Sequence, residues 1–380
     1  MNAPSQAGHT SAEMDDDARF MAQTIELGRA GLGLAAPNPS VGALVVKDRV
    51  IVGRGATRTG GRPHAETEAL KDAGDAAIGA TMYVSLEPCS HHGVTPPCAD
   101  AIVKAGIVRV VSALDDPDTR VSGRGHRHMR EAGLDVRVGV LAKEARRANL
   151  GHILRITEGR PMVTLKLAQT ADGFAAGGTH DQRLMITGLA ANNEVQAMRA
   201  HHDAIMVGIG TALADDPLLT VRAQGLEHYR PLRVVLDTNL RLRKRSRIAA
   251  TARDRRTLVI AGLAAPAERQ ILLESLGIEI VRVPLNAAGH VDLLEALRVL
   301  AKRGVTRVFS EGGPTVAREL VALGLADEVA LFTSPKPLGY AGVEALDVDT
   351  RAALKDENRF QVLSETTLGV DRLRIFERRS

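Results

Sequence analysis

His64, Glu66, Cys89 and Cys98 are the residues whose types could do chemistry together. One imidazole and two thiols make the donor set of a catalytic zinc, which takes three protein ligands and keeps a fourth position open for water. The 380-residue chain has 2 cysteines, and both lie in SLEPCSHHGVTPPC, residues 85–98. Water bound to zinc ionises near neutral pH. Glu66, two positions after His64 in PHAETEAL, is placed to take a proton from that water and deliver it to a leaving amine. His-x-Glu followed by Pro-Cys and a second Cys is the pattern of zinc enzymes that deaminate nucleobases. There the cysteines are spaced C-x-x-C; here Cys89 and Cys98 are nine positions apart, so SHHGVTPP must loop out and return. The bland reading, two buried cysteines and a surface histidine, suits each residue singly. It does not account for all four in this order.

Local elements must hold these groups. GATMYVSLEPCS reads as a strand running into the first cysteine, AETEALKDAG as a helix opening at His64, and CADAIVKAGI as a helix opening at Cys98. Helix N-termini lower thiol pKa, which suits thiolate ligands. VGALVVKDRVIVGRGAT predicts two strands joined by Lys47-Asp48-Arg49, and residues 1 to about 14 read as a loose tail before a helix. Helix and strand patterns then alternate to about residue 158, giving an α/β/α domain over 15–158. A charged helical stretch ends at Gly159-Arg160-Pro161, where the boundary is placed. Residues 159–380 alternate strand and helix again, with strands expected in MVTLKLA, AIMVGIG, LRVVLD, RTLVIAG, IEIVRVP, TRVFSEGG, EVALFTSP and RLRIFERR. The length supports two domains.

Composition narrows the class. Charged residues make 25% of the chain and the formal charge is +4, a mild attraction for anionic small molecules that does not demand nucleic acid. The chain has no Trp, 3 Tyr and 6 Phe, which argues against single-strand nucleic-acid binding by stacking. No apolar run approaches a membrane span, and the acidic N-terminus lacks the pattern of a signal peptide. A cytoplasmic protein with reduced cysteines is expected, so a metal role outranks a disulfide.

APNPSVGALVV, PHAE, SLEPCSHHGVTPPC and DDPDTRVSGRG resemble the deaminase half of the bifunctional riboflavin-biosynthesis deaminase/reductase family. LKLAQTADG, MVGIGTALADDPLLTVR and SEGGPTVARELV resemble its reductase half. The resemblance covers roughly residues 20–378. It implies a cytidine-deaminase-like three-layer domain followed by a dihydrofolate-reductase-like α/β domain. It also implies zinc-dependent deamination of a diamino-hydroxy-pyrimidine carrying a phosphoribosylamino group, then NADPH-dependent reduction of the ribosyl group to ribityl. A homo-oligomer acting on a small molecule, with neither nucleic acid nor membrane as partner, is expected. The alternative is a deaminase whose C-terminal half has lost or changed its activity.

Carried over residue by residue, the resemblance makes His64, Cys89 and Cys98 the zinc ligands, Glu66 the proton carrier and Asn38 a pyrimidine contact. An amide offers donor and acceptor together, although Asn before proline also favours turns. Ser90, His91, His92 and Asp116 either line the same pocket or are loop polar residues. In the second half no Gly-x-Gly-x-x-Gly pattern occurs. Strand, Gly-Gly turn and a helix starting at Pro314 can hold phosphate on free backbone N–H groups. By resemblance, residues 313–319, with Gly313, Pro314 and Thr315, face the cofactor, as do Ala168, Thr211 and Asp215. Arg183, Arg199, Leu219, Arg222 and Glu311 match substrate positions, and Lys166 and Asp172 flank LAQTA. Two departures stand out: Thr170-Ala171 replaces the usual Ser-Leu, and no aromatic precedes ITG, so Arg183 and Met185 occupy that stretch. RLRKRSR, residues 241–247, reads as a solvated loop, with the cofactor 2′-phosphate as the alternative.

Overall fold

VGALVVKDRVIVGRGA folds into the hairpin its two apolar runs predict. Strands β1 (Gly42–Lys47) and β2 (Val50–Ala56) pair antiparallel, and Asp48 and Arg49 turn the corner with φ 50° and 64°. Both angles lie in the left-handed region that a tight two-residue hairpin requires. Strand β3 (Thr81–Val84) joins β1 antiparallel, and β4 (Arg109–Ser112) and β5 (Asp135–Val138) extend the sheet in parallel, giving the order β2-β1-β3-β4-β5. The computed structural model describes residues 11–90, 96–118, 122–178 and 185–379, without the side chains of 11–14. The chain divides into two units, Met1–Glu158 and Gly159–Ser380.

In the first unit the strand period of two sends alternate residues into two cores. Ala43 and Val45 pack with Ala65, Ala69 and Ile102 on one face. Leu44 and Val46 pack with Phe20, Met21 and Ile25 on the other. Helix α1 (Ser11–Arg29) covers the second face, while α2 (Ala65–Ala73), α3 (Cys98–Lys104) and α4 (Arg124–Glu131) cover the first. Leu44 is fully enclosed, so Leu44→Ala should cost about 2–5 kcal/mol. Helix α1 starts at Ser11, earlier than the tail reading placed it. Helices α5 (Ala142–Ala148) and α6 (Leu150–Thr157) follow.

The second unit is built on nine strands: β6 (Met162–Gln169), β8 (Ala204–Gly208), β9 (Leu232–Leu236), β10 (Thr257–Gly262), β11 (Glu279–Val283), β12 (Arg307–Ser310), β13 (Glu328–Thr333), β15 (Phe360–Leu368) and β16 (Asp371–Arg378). Their order is β11-β10-β9-β8-β12-β6-β13-β16-β15; pairs from β11 to β13 are parallel, and β16 and β15 close the edge antiparallel. Short strands β7 (Phe174–Ala176) and β14 (Val343–Glu344) make a separate ribbon. Helices α7 (Leu189–Ala200), α8 (Ile209–Asp215), α9 (Arg247–Ala250), α10 (Ala267–Ser275), α11 (Leu293–Lys302), α12 (Pro314–Ala322) and α13 (Val348–Lys355) lie between strands. Apolar strands such as LVIAG, buried on both faces, are what a parallel sheet covered by helices requires. AIMVGIG is strand only to Gly208; Ile209 already opens α8. Strand β15 falls outside the sequence expectation.

Candidate active sites

The zinc-type residues arrive from three elements. His64 is the N-cap of α2, Cys98 is the first residue of α3, and Cys89 ends the loop leaving β3. The His64 Nδ1 atom lies 3.7 Å from Cys89 Sγ and 3.3 Å from Cys98 Sγ. All three ligand atoms fall within 4.8 Å of one another. Zinc–nitrogen and zinc–sulfur bonds at a tetrahedral centre set such N···S separations at about 3.6 Å, so the donor set fits a zinc ion in spacing and in chemistry. Cys89 and Cys98, nine positions apart in sequence, meet at one site.

Their electrostatics agree with a cation site. The Cys98 thiol and backbone N–H and the His64 ring hold the Cys89 thiol down, at about 4. The same closeness pushes Cys98 up, because two thiolates side by side repel unless a cation stands between them. Glu66 is 4% exposed and its carboxyl reaches the Cys98 thiol rather than solvent. Burial pushes that carboxyl up to about 7.

Asn38 donates from Nδ2 to the Gly61 carbonyl at 2.9 Å, in the turn just before His64. Gly61 has φ 86°, and a Cβ there would stand 2.4 Å from Asn38 Nδ2, so only glycine allows this approach. Asn38 is thereby fixed beside the ligand turn. Asp116 follows β4, the parallel neighbour of β3, and its Oδ1 lies 3.5 Å from His152 Nε2. Ser90 is half-buried; His91 and His92 lie outside the described residues.

Glu87, three residues past the end of β3, was passed over in the sequence reading. It is 4% exposed and accepts from the backbone N–H of Asp116 at 3.1 Å, Gly123 at 2.8 Å and Gly125 at 2.9 Å. It ties the segment after β4 to the cysteine loop. A lone Glu before Pro-Cys carries no signal of partners about thirty residues away.

In the second unit, parallel strands β8, β12 and β6 are neighbours, so their carboxyl ends share one edge. Ala168 near the end of β6, Thr211 and Asp215 in α8, and Glu311 to Thr315 after β12 all follow that edge. Ligands in open α/β sheets bind outside the carboxyl ends of strands. Helix α12 begins with Pro314 and no side chain caps its Gly313 N-cap. A Cβ on Gly313 would stand 3.0 Å from Thr211 Oγ1, and one on Gly312 2.8 Å from Val316 Cβ. This glycine cradle at an uncapped helix N-terminus fits a dinucleotide pyrophosphate.

Glu311 is pinned by its N–H to the Met206 carbonyl at 2.9 Å. Burial would raise its pKa, but Arg199, Lys166 and Arg222 hold the carboxyl below its ordinary range. Arg199 meets it with two bonds, Nε–Oε1 at 2.5 Å and NH2–Oε2 at 2.7 Å, and gives NH1 to the Thr220 carbonyl at 3.0 Å. This fork holds Glu311 and the 219–222 segment in place. Leu219 is buried with φ 51°, and Arg222 N–H bonds Gln196 Oε1 at 2.7 Å. Thr170 keeps the hydroxyl of the altered turn: it donates to Asp172 at 2.6 Å, and Asp172 accepts from the N–H of Leu338 and Gly339. Met185 is 71% exposed, and Arg183 lies outside the described residues.

Comparison with known proteins bears on both sites. Residues 14–114 match the cytidine and deoxycytidylate deaminase zinc-binding region, and residues 161–368 match the RibD C-terminal domain. The riboflavin biosynthesis protein RibD of Escherichia coli (strain K12) is 39% identical over 343 residues, 85% of this chain and 89% of that protein. Its counterpart from Aquifex aeolicus is 36% identical over 95% of this chain and 98% of its own. The structure of Acinetobacter baumannii RibD, form 1, superposes with a TM-score of 0.84 at 34% identity, covering 97% of this chain and 100% of that one. A Thermotoga maritima diaminohydroxyphosphoribosylaminopyrimidine deaminase/5-amino-6-(5-phosphoribosylamino)uracil reductase gives 0.82 at 33% identity. A zinc-type deaminase unit followed by a RibD reductase unit, with near full-length relatives, leads to one conclusion: the chain belongs to the RibD family of bifunctional riboflavin-biosynthesis deaminase/reductases.

Proposed function

We propose that His64, Cys89 and Cys98 hold the zinc of the deaminase, that Glu66 moves its protons, and that the β6–β8–β12 edge holds NADPH against the ribosyl group of the deaminated product. The deaminase occupies 15–158 and the reductase 159–380. The observation that carries this reading is the convergence of one ring nitrogen and two sulfurs within 4.8 Å, with a buried carboxyl beside them. The substrate is 2,5-diamino-6-(5-phosphoribosylamino)pyrimidin-4-one, in keeping with the deaminase and reductase activities for which the Thermotoga maritima relative is named.

When bound, zinc supplies an ionisable water and Lewis acidity. Glu66 accepts a proton from the attacking water and passes it to the departing ammonia. Asn38 orients the ring by its amide, with Asp116 at the pocket wall. When bound, NADPH supplies hydride. Gly313, Pro314, Thr315, Thr211, Asp215 and Ala168 seat the cofactor; Leu219, Arg222 and Glu311 face the phosphoribosyl substrate, and Arg183, outside the described residues, is a substrate contact by resemblance alone. Arg199 contacts the substrate as well and holds Glu311 in position. Holding the nicotinamide carbon against the sugar carbon is the main demand on the protein in hydride transfer. The retained Thr170–Asp172 turn and the glycine cradle support a working reductase rather than a deaminase alone. The enzyme works in the cytoplasm as a homo-oligomer, without nucleic acid or membrane; no helix among the described residues is long and apolar enough to cross a membrane.

Cys89→Ala tests the site. The variant should lose bound zinc and ammonia release together, while NADPH oxidation with the pre-deaminated uracil substrate persists. Full zinc content in the variant would sink the ligand assignment.

A further inference from the structure

Residues 115–160 fall between the two family matches, which cover 14–114 and 161–368. Helix α6 lies in that stretch and packs into the first unit through buried Ile153 and Leu154. Beside them stands His152, whose side chain is 10% exposed. A histidine buried for packing alone has its ring nitrogens satisfied. His202 in the second unit is that case: Nδ1 meets the Met198 carbonyl at 2.6 Å and Nε2 the Thr164 hydroxyl at 2.9 Å. His152 differs. Its Nδ1 is buried with no partner among the described residues, and its Nε2 lies 3.5 Å from Asp116 Oδ1. The ring leaves one nitrogen unpaired and turns the other to a carboxylate.

That carboxylate belongs to the deaminase pocket. Asp116 follows β4 on the same strand edge from which the Cys89 loop leaves β3. Its N–H is held at 3.1 Å by Glu87, two residues before Cys89. Its Oδ1 accepts the Asp118 N–H at 2.8 Å and faces His152. No described residue bonds Oδ2, so this oxygen is left to accept an N–H or O–H from a ligand. An imidazole nitrogen that faces a carboxylate carries the ring proton, which fixes the tautomer and orients the carboxylate. One turn along α6, Arg155 NH1 reaches the Pro37 carbonyl at 3.3 Å, next to Asn38. Helix α6 thus meets both the Asp116 segment and the Asn38 turn. We propose, resting on the deaminase reading given above, that His152 is a positioning residue of the deaminase: its Nε2–H holds Asp116 so that Oδ2 faces the pyrimidine substrate.

The test is steady-state ammonia release from the diamino phosphoribosylamino-pyrimidine by the zinc-loaded full chain, by H152F, D116N and H152F/D116N, and by H152Q as the conservative variant. H152F should lower kcat/KM roughly tenfold, the worth of one hydrogen bond to a charged group. Zinc content, melting temperature and NADPH oxidation with the deaminated uracil should stay as in the parent. D116N should lose at least as much, and the double variant no more than D116N, because His152 acts only through Asp116. H152Q, whose amide can still donate, should recover most of the loss. Parent-like kcat/KM in H152F, or losses that multiply in the double variant, overturn the role of His152 while the deaminase reading stands. D116N with the parent's kcat/KM takes Asp116 out of the pocket and the role of His152 with it. A parent that releases no ammonia overturns the deaminase reading itself, before any variant is made. Should H152F melt early, H152N takes its place, since its shorter amide does not reach Asp116: a loss in H152N beside recovery in H152Q supports the role, and equal rates in the two overturn it.

Discussion

Glu66 is a buried carboxyl two residues from a ligand histidine, and its role separates cleanly from theirs. Glu66→Gln keeps shape and hydrogen bonding but cannot accept a proton. Zinc content should stay at one per chain while ammonia release falls by about 10²–10⁴-fold; metal analysis beside a single-turnover assay checks it. A parallel loss of metal would make Glu66 a structural residue. At this scale the sequence was legible where chemistry uses rare residues at short range. His64 and Glu66 stand two apart, and the chain has 2 cysteines to place. It was silent where a residue works through distant partners. Glu87 reaches backbone groups of 116–125, and Arg233, fully buried in β9, bonds the carbonyls of Ile248 and Arg255 and the hydroxyls of Thr251 and Thr257. Neither partnership leaves a local pattern. The carboxylate partner of Arg199 is 112 positions away and equally leaves no local pattern.

Elements show the same division. The hairpin at 42–56 follows from alternation, and helices α2 and α3 from the runs that open at His64 and Cys98. The strand drawn through AIMVGIG ran into α8 because a short apolar run does not distinguish strand from buried helix. Strand β15, largely exposed along QVLSETTL, lacks clean alternation and exists by pairing with β16. Two expectations belong here. Gly313→Val places branched carbons where a Cβ already stands 3.0 Å from Thr211 Oγ1. NADPH affinity should fall at least tenfold by calorimetry while ammonia release is unchanged; an unchanged Kd would remove the cradle from the site. Helix α1 is fastened to β3, β4 and β5 by Asp17, which accepts from Tyr83 at 2.8 Å, from Arg109 at 2.9 and 2.8 Å, and from Arg137 at 2.6 Å. Burial alone would raise the Asp17 pKa, but these partners hold it below its ordinary 3.8. A carboxylate depressed by folding stabilises above its unfolded pKa, and that stability is lost as pH falls through the folded value. The first unit should therefore melt lower as pH drops below about 4. Asp17→Asn should remove part of that acid dependence and cost roughly 3 kcal/mol at neutral pH. Identical pH profiles in the two proteins, followed by thermal melts, would contradict the role given to Asp17.

For the whole molecule, the family matches at 14–114 and 161–368 fall in separate units of the fold. Two chemistries in series follow, with metal needed for the first alone. The most direct measurement is NADPH absorbance in the presence of the diamino phosphoribosylamino-pyrimidine, with and without a zinc chelator. The account predicts NADPH oxidation that the chelator stops and that supplying the deaminated uracil restores. Undiminished NADPH oxidation from the diamino compound in zinc-free enzyme, with no ammonia released, would contradict it.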